Sequence, residues 1–140
     1  MEHIKVMLDK GAYMPTRAYA EDAGLDIYTP VWFTVPAKGS AVIDTGVHMF
    51  IEKGYVGMLK SKSGLNVKNN LVGEGVIDCG YGGSIRVKLY NHGDTDEHFK
   101  RGDKITQIVI MPIATPEPIL VDSFPETDRG SNGFGSTGAR

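Results

Sequence analysis

Residues 84–91 read SIRVKLYN, with Ile85, Val87 and Leu89 alternating against Arg86 and Lys88. A period of two puts the aliphatic side chains on one face and the charges on the other, which predicts a strand covered on one side. Residues 104–113, KITQIVIMPI, are almost continuously apolar, and that predicts a strand covered on both faces. Outward from these two, short β-branched runs occupy residues 3–8, 25–28, 32–35, 40–44, 47–51 and 55–59, with a briefer one at 75–78. PAKG, EKG, HGD and RGD punctuate them as turn signals. Stretches free of glycine and proline are too short to place a helix. The pattern predicts an all-β sandwich or barrel.

At 140 residues the chain has room for one domain. Its 18 glycines call for many tight turns, in keeping with many short strands. A formal net charge of −2 argues against a nucleic-acid binder, which would normally show a basic face, so no nucleic-acid partner is expected. Cys79 is the single cysteine and can form no internal disulfide. The N-terminal MEHIKVMLDKG lacks the basic and apolar regions of a secretory leader, and no apolar run could span a bilayer. A cytoplasmic protein without a membrane partner is expected.

Several stretches carry chemistry. In GVIDCGYGGS, residues 75–84, Asp78 follows an apolar strand and precedes a glycine-rich reversal holding Tyr81. This is either a plain hairpin, or a general base beside a pocket wall with glycines admitting a ligand to the backbone. KSKSGL, residues 60–65, is either a solvated basic loop or a phosphate cradle of ammonium, hydroxyl and N–H groups. AEDAGLDI, residues 20–27, offers three acids near a glycine, and Gln107 is oddly polar within its apolar run. His3, His48, His92 and His98 lack metal-ligand spacing and read as structural or exposed. Cys79 has no nearby histidine to activate it as a nucleophile. The terminal DRGSNGFGSTGAR, residues 128–140, spells G-x-G-x-x-G over 133–138 and a P-loop with Ser136 in place of lysine over 130–137. Both patterns need a following helix, and taken alone the segment reads as a frayed glycine-rich end.

AGLDI, SKSGL, GVIDCGYGG, GDKITQIVIMPI and RGSNGFGSTG, in this order and spacing, resemble the five motifs of the trimeric dUTP pyrophosphatases. The resemblance covers nearly the whole chain. It implies a jelly-roll-like β-barrel or sandwich over residues 1–128, with a flexible tail, 129–140, that closes over the bound nucleotide. It also implies hydrolysis of dUTP to dUMP and pyrophosphate, which keeps uracil out of DNA and supplies dUMP for thymidylate synthesis. Asp78 would activate the attacking water and contact the 3′-hydroxyl. Tyr81 would pack under the sugar and exclude a 2′-hydroxyl. Backbone groups of the hairpin from about Val72 to Asp78, among them Gly75, Val76 and Ile77, would read uracil. Lys62, Ser63 and Gly64 would hold the phosphates, with Gln107 assisting. Phe134 would stack on uracil, with Gly135 in its turn, while Arg129, Ser136 and Thr137 bind the terminal phosphates. Magnesium (Mg2+) would be held by the triphosphate itself, and Asp26 would act through the metal's waters.

The resemblance further implies a homotrimer with shared sites, in which edge strands are buried by neighbours; the strand ending IVIMPI is a candidate. Lys62 stands where the family usually carries arginine, trading a bidentate fork for a point charge. Gly80 stands where many relatives have aspartate, as in a bacterial or phage-like branch. Deoxycytidine triphosphate deaminases share the fold but carry a catalytic glutamate where this chain has Lys88, so deamination is not expected. A regulatory protein that binds dUTP with little turnover is the other reading, and Asp78 and the complete tail argue against it.

Overall fold

The alternation at 84–91 is realised in β9 (Arg86–Asn91), where Val87, Leu89 and Asn91 are buried and Arg86, Lys88 and Tyr90 face out. The computed structural model describes residues 1–135 and 137–138; Ser136, expected at the terminal phosphates, lies outside them. The other strands are β1 (Lys5–Leu8), β2 (Gly24–Tyr28), β3 (Phe33–Val35), β4 (Ser40–Asp44), β5 (Val47–Phe50) and β6 (Tyr55–Lys60). They continue with β7 (Leu71–Val72), β8 (Gly75–Ile77), β10 (Glu97–Phe99) and β11 (Lys104–Pro112). One short helix, α1 (Ser63–Asn69), interrupts them.

Two sheets carry the core: β2-β11-β6-β8 and β4-β9-β7, joined by the two-stranded ribbons β1-β5 and β10-β3. Every pairing is antiparallel. Ile27, Leu59, Ile77 and Ile108 from the first sheet meet Ile43, Leu71, Val87 and Leu89 from the second in one apolar cluster. The result is the expected all-β sandwich.

Three expectations need correcting. β11 lies between β2 and β6, so the strand ending IVIMPI is interior to its sheet and not an edge. Residues 72–78 do not form a hairpin: β7 pairs with β9 in one sheet, while β8 pairs with β6 in the other. The segment is a crossing between sheets, which period-two reasoning cannot distinguish from a hairpin because both are short strands flanking a turn. The loop expected at 60–65 gives way to α1, which ends on Asn70 in the left-handed conformation, φ 57°. Asparagine tolerates that conformation and closes the helix as glycine would.

Beyond the core, every residue from Met111 to Gly135 is exposed. Ile119, Leu120, Phe124 and Phe134 are among them. The tail's backbone hydrogen bonds are local turns, such as Gly130 N–H to Thr127 and Asn132 N–H to Arg129.

Candidate active site

Asp26 is the centre of a basic cluster. It lies on β2, 3% exposed, and its carboxylate takes Lys62 on Oδ1 and Lys104, at 3.2 Å, on Oδ2. Burial works against its ionisation, but the hydrogen bonds from Lys62 and Lys104 outweigh it and hold the carboxyl below its ordinary 3.8. Lys104 escaped the sequence reading; its place three residues before Gln107 in GDKITQ was the available signal.

Gln107 faces Asp26 across the β2–β11 ladder and Lys60 across the β11–β6 ladder. Its Nε2 donates to the Ser61 carbonyl at 3.1 Å. The carboxamide lies over Gly24, where an added Cβ would collide with Oε1 and sit 2.9 Å from Cδ. A side chain there would have to displace the carboxamide. Lys62 then leads into α1, whose first turn is Ser63, Gly64 and Leu65 without a side-chain cap, leaving their N–H groups outside the helix's own bonding. Asp26, Lys62, Ser63, Gly64, Lys104 and Gln107 thus form one cationic corner.

Ser61 stitches that corner to the crossing segment. Gly73 N–H donates to Ser61 Oγ at 3.1 Å, and Lys60 pairs with Glu74 at 2.9 Å. β8 follows with β6 on one side only, so the outer edge of Gly75, Val76 and Ile77 presents unpaired backbone groups. A pyrimidine's donor and acceptor edge could be read there by the main chain.

Asp78 and Tyr81 sit at the far end of β8. Gly80 takes φ 84°, and Tyr81 N–H closes a turn on the Asp78 carbonyl at 3.2 Å. The Tyr81 ring, 45% exposed, folds back over Gly83, where an added Cβ would lie 2.7 Å from Cζ, and its hydroxyl donates to the Ser84 carbonyl at 2.8 Å. Ser84 Oγ bonds Asp44, and His48 bonds the Gly82 carbonyl.

The register separates the two ends. Gly75 faces Leu59 and Ile77 faces Gly57, so Asp78 falls opposite Val56 while Lys62 lies six residues further along. At about 3.4 Å per residue that is roughly 20 Å. One chain does not bring Asp78 and Tyr81 to Lys62, Ser63 and Gln107. Nor does it bring the tail to either: Arg129 Nε donates to the Asn132 carbonyl at 2.8 Å, and Phe134, Gly135 and Thr137 are exposed.

The fold and the motif order have counterparts among known proteins. The dUTPase family model matches residues 10–138. A deoxyuridine 5′-triphosphate nucleotidohydrolase of Arabidopsis thaliana is 42% identical over 132 residues, covering 94% of this chain and 80% of that one. A Staphylococcus bacteriophage 80alpha dUTPase variant, solved with dUpNHpp, superposes with a TM-score of 0.89 at 33% identity over 99% of both chains. A variant dUTPase from phage phi11 of S. aureus, described with a structural Mg(II) ion, gives 0.82 at 32% identity over 89% of this chain and 99% of that one. With the five motifs in place on the matching sandwich, the chain belongs to the dUTPase family.

Proposed function

We propose that this protein hydrolyses dUTP to dUMP and pyrophosphate, with Asp78 as the base that aims water at the α-phosphorus. The observation that carries the reading is the pairing of an exposed carboxylate beside a free strand edge with a separate cationic corner. The first can seat a deoxynucleoside and the second its phosphates.

The residues divide the work as follows. Backbone groups along Gly75–Ile77 read uracil, Tyr81 fills the space beside C2′, and Asp78 takes a proton from water as it attacks. Lys62, Ser63 and Gly64 neutralise the charge that spreads over the phosphate oxygens, with Gln107 holding the Ser61 carbonyl and reaching the same region. Arg129, Ser136 and Thr137 add donors from the tail, and Phe134 covers the base. Positioning and electrostatics supply most of the catalysis in such a reaction.

The donor set suits magnesium carried by the triphosphate. Both Asp26 oxygens are engaged by lysines, and among the described residues no three histidine, cysteine or carboxylate side chains are grouped to hold a metal. Such an ion would neutralise the phosphates, and Asp26 would meet it only through water. Lys62 offers one compact charge shared between Asp26 and the phosphate, where arginine would offer two parallel donors.

A homotrimer with shared sites is the assembly that accommodates a separation of roughly 20 Å between the two half-sites. In this reading a base and a phosphate cradle that far apart serve one α-phosphate by pairing Asp78 of one chain with Lys62 of another. The exposed apolar residues Ile119, Leu120 and Phe124 in turn need a surface to cover them. Closed threefold symmetry satisfies both demands. In this reading residues 129–140 are the tail that closes over a neighbour's site, while 1–128 form the β domain. Among the described residues no helix is long and apolar enough to cross a membrane.

The test is pyrophosphate release with magnesium from dUTP, dCTP and UTP. Rapid release from dUTP alone is expected. Release of ammonia from dCTP, or tight dUTP binding without turnover, would overturn the reading.

A further inference from the structure

The reversal at 78–84 has little of its own to hold it in shape. Gly80, Gly82 and Gly83 give it wide backbone freedom, and glycine loses the most entropy when fixed. Its conformation therefore depends on a few bonds: the turn at Tyr81, the Tyr81 hydroxyl, Ser84 on Asp44, and His48 on the Gly82 carbonyl. Only the last involves a group that titrates near neutral pH.

His48 lies on β5 opposite Met7 of β1, with its side chain 19% exposed. Its Nδ1 faces the Gly82 carbonyl at 2.8 Å and its Nε2 faces Asp9 Oδ1 at 3.0 Å. A carbonyl and a carboxylate can only accept. A neutral imidazole has one N–H, so both contacts are made only when both nitrogens carry protons. Loss of either proton turns one hydrogen bond into two facing lone pairs.

We propose that His48, in its doubly protonated form, is a positioning residue that clamps the 78–84 reversal between β5 and Asp9 and so sets where Tyr81 and Asp78 stand. This rests on the roles given to those two residues above. The other charged groups around the ring fit the protonated form. Asp44, which binds Ser84 and lies 4.0 Å from Arg86 Nε, adds negative charge from β4. Lys5 lines the same groove of about 390 Å³ with Met7, Phe50 and Tyr81, its ammonium turned over the Phe50 ring. The Gly82 and Asp9 hydrogen bonds, in that order, raise the His48 pKa above 6.5 despite some desolvation. Both contacts are held below that ordinary value, and one of them is lost as pH rises through the higher native one.

The experiment follows the histidine and the reaction together, on the full-length protein. His48 and the amides of Gly80, Tyr81, Gly82 and Gly83 are titrated by NMR while kcat/KM for dUTP and UTP is measured across the same pH range. The amide shifts should track the His48 titration. The preference for dUTP over UTP should fall about 2- to 10-fold through that transition, the range expected for one lost hydrogen bond. His48→Gln, whose single amide nitrogen donates at any pH, should remove the transition while keeping part of the preference. Asp9→Asn should leave the protein active and move the transition to lower pH. Loop amides that ignore the His48 titration, or a preference that stays flat with pH in the parent and unmoved in both variants, would overturn the proposal. If dUTP is not hydrolysed at all, the functional reading falls, and the NMR titration alone decides whether His48 clamps the loop.

Discussion

Asp78 and Asp26 are both aspartates in family motifs, yet their surroundings give them opposite tasks. Asp78 is exposed beside a glycine-rich turn and open to water. Asp78→Asn keeps its size and hydrogen-bonding reach but loses basicity, so turnover should fall by roughly 10²–10⁴-fold. Nucleotide affinity, measured by calorimetry with a non-hydrolysable analogue, should change far less. Asp26 is buried with two ammonium groups, and its depressed pKa makes it a stabilising group. Its contribution is present above 3.8 and is lost as pH falls through the lower native value. Asp26→Asn should therefore cost about 1–3 kcal/mol near neutral pH and flatten the acid limb of stability, read from urea midpoints at several pH values.

At the scale of elements, Gly24 is where packing and catalysis meet. The Gln107 carboxamide occupies the space a side chain on β2 would fill. Gly24→Ala should push that carboxamide off the Ser61 carbonyl and loosen the approach to Lys62. A several-fold loss in kcat/KM with an almost unchanged urea midpoint is expected, because the displaced group is a polar side chain at the edge of the core. Other features of this corner were less legible in the sequence. Ser40–Asp44 was read to the residue, and most other strands to within two, because alternation and turn residues are local signals. α1 gives no sequence signal because SGLNVKN sets only Leu65 against the core, one apolar contact being too few to make a helical period. β7 and β10 are too short to alternate. The inter-sheet crossing at 72–78 was taken for a hairpin because pairing partners are a non-local property. Motif order proposes Asp26, Lys62, Asp78 and Gln107 as site residues, whereas the contacts of Lys104 and His48 are made with partners distant in sequence.

For the whole molecule, the exposed segment beyond β11 makes the isolated chain an incomplete object. Light scattering should give three chains per particle. Truncation after Asp128 should leave that particle intact while nearly abolishing turnover, since the tail's local turns hold nothing in the body of its own chain. A truncated chain retaining Asp78 and a full-length Asp78→Asn chain, each nearly inactive alone, should regain activity when refolded together.

The distance between Asp78 and Lys62 along β6 and β8 also sets how damage propagates through a mixed population. When intact chains make up a fraction of randomly assembled trimers, a partner lacking only Asp78 spoils one contribution per site, and live sites fall in simple proportion to that fraction. A partner lacking both Asp78 and Lys62 spoils contributions drawn from two different chains, so live sites fall as its square. Removing the tail as well makes the dependence a cube if a third chain supplies it, and leaves it a square if the tail comes from one of the first two. The curvature of activity against mixing ratio therefore counts the polypeptides that build one site.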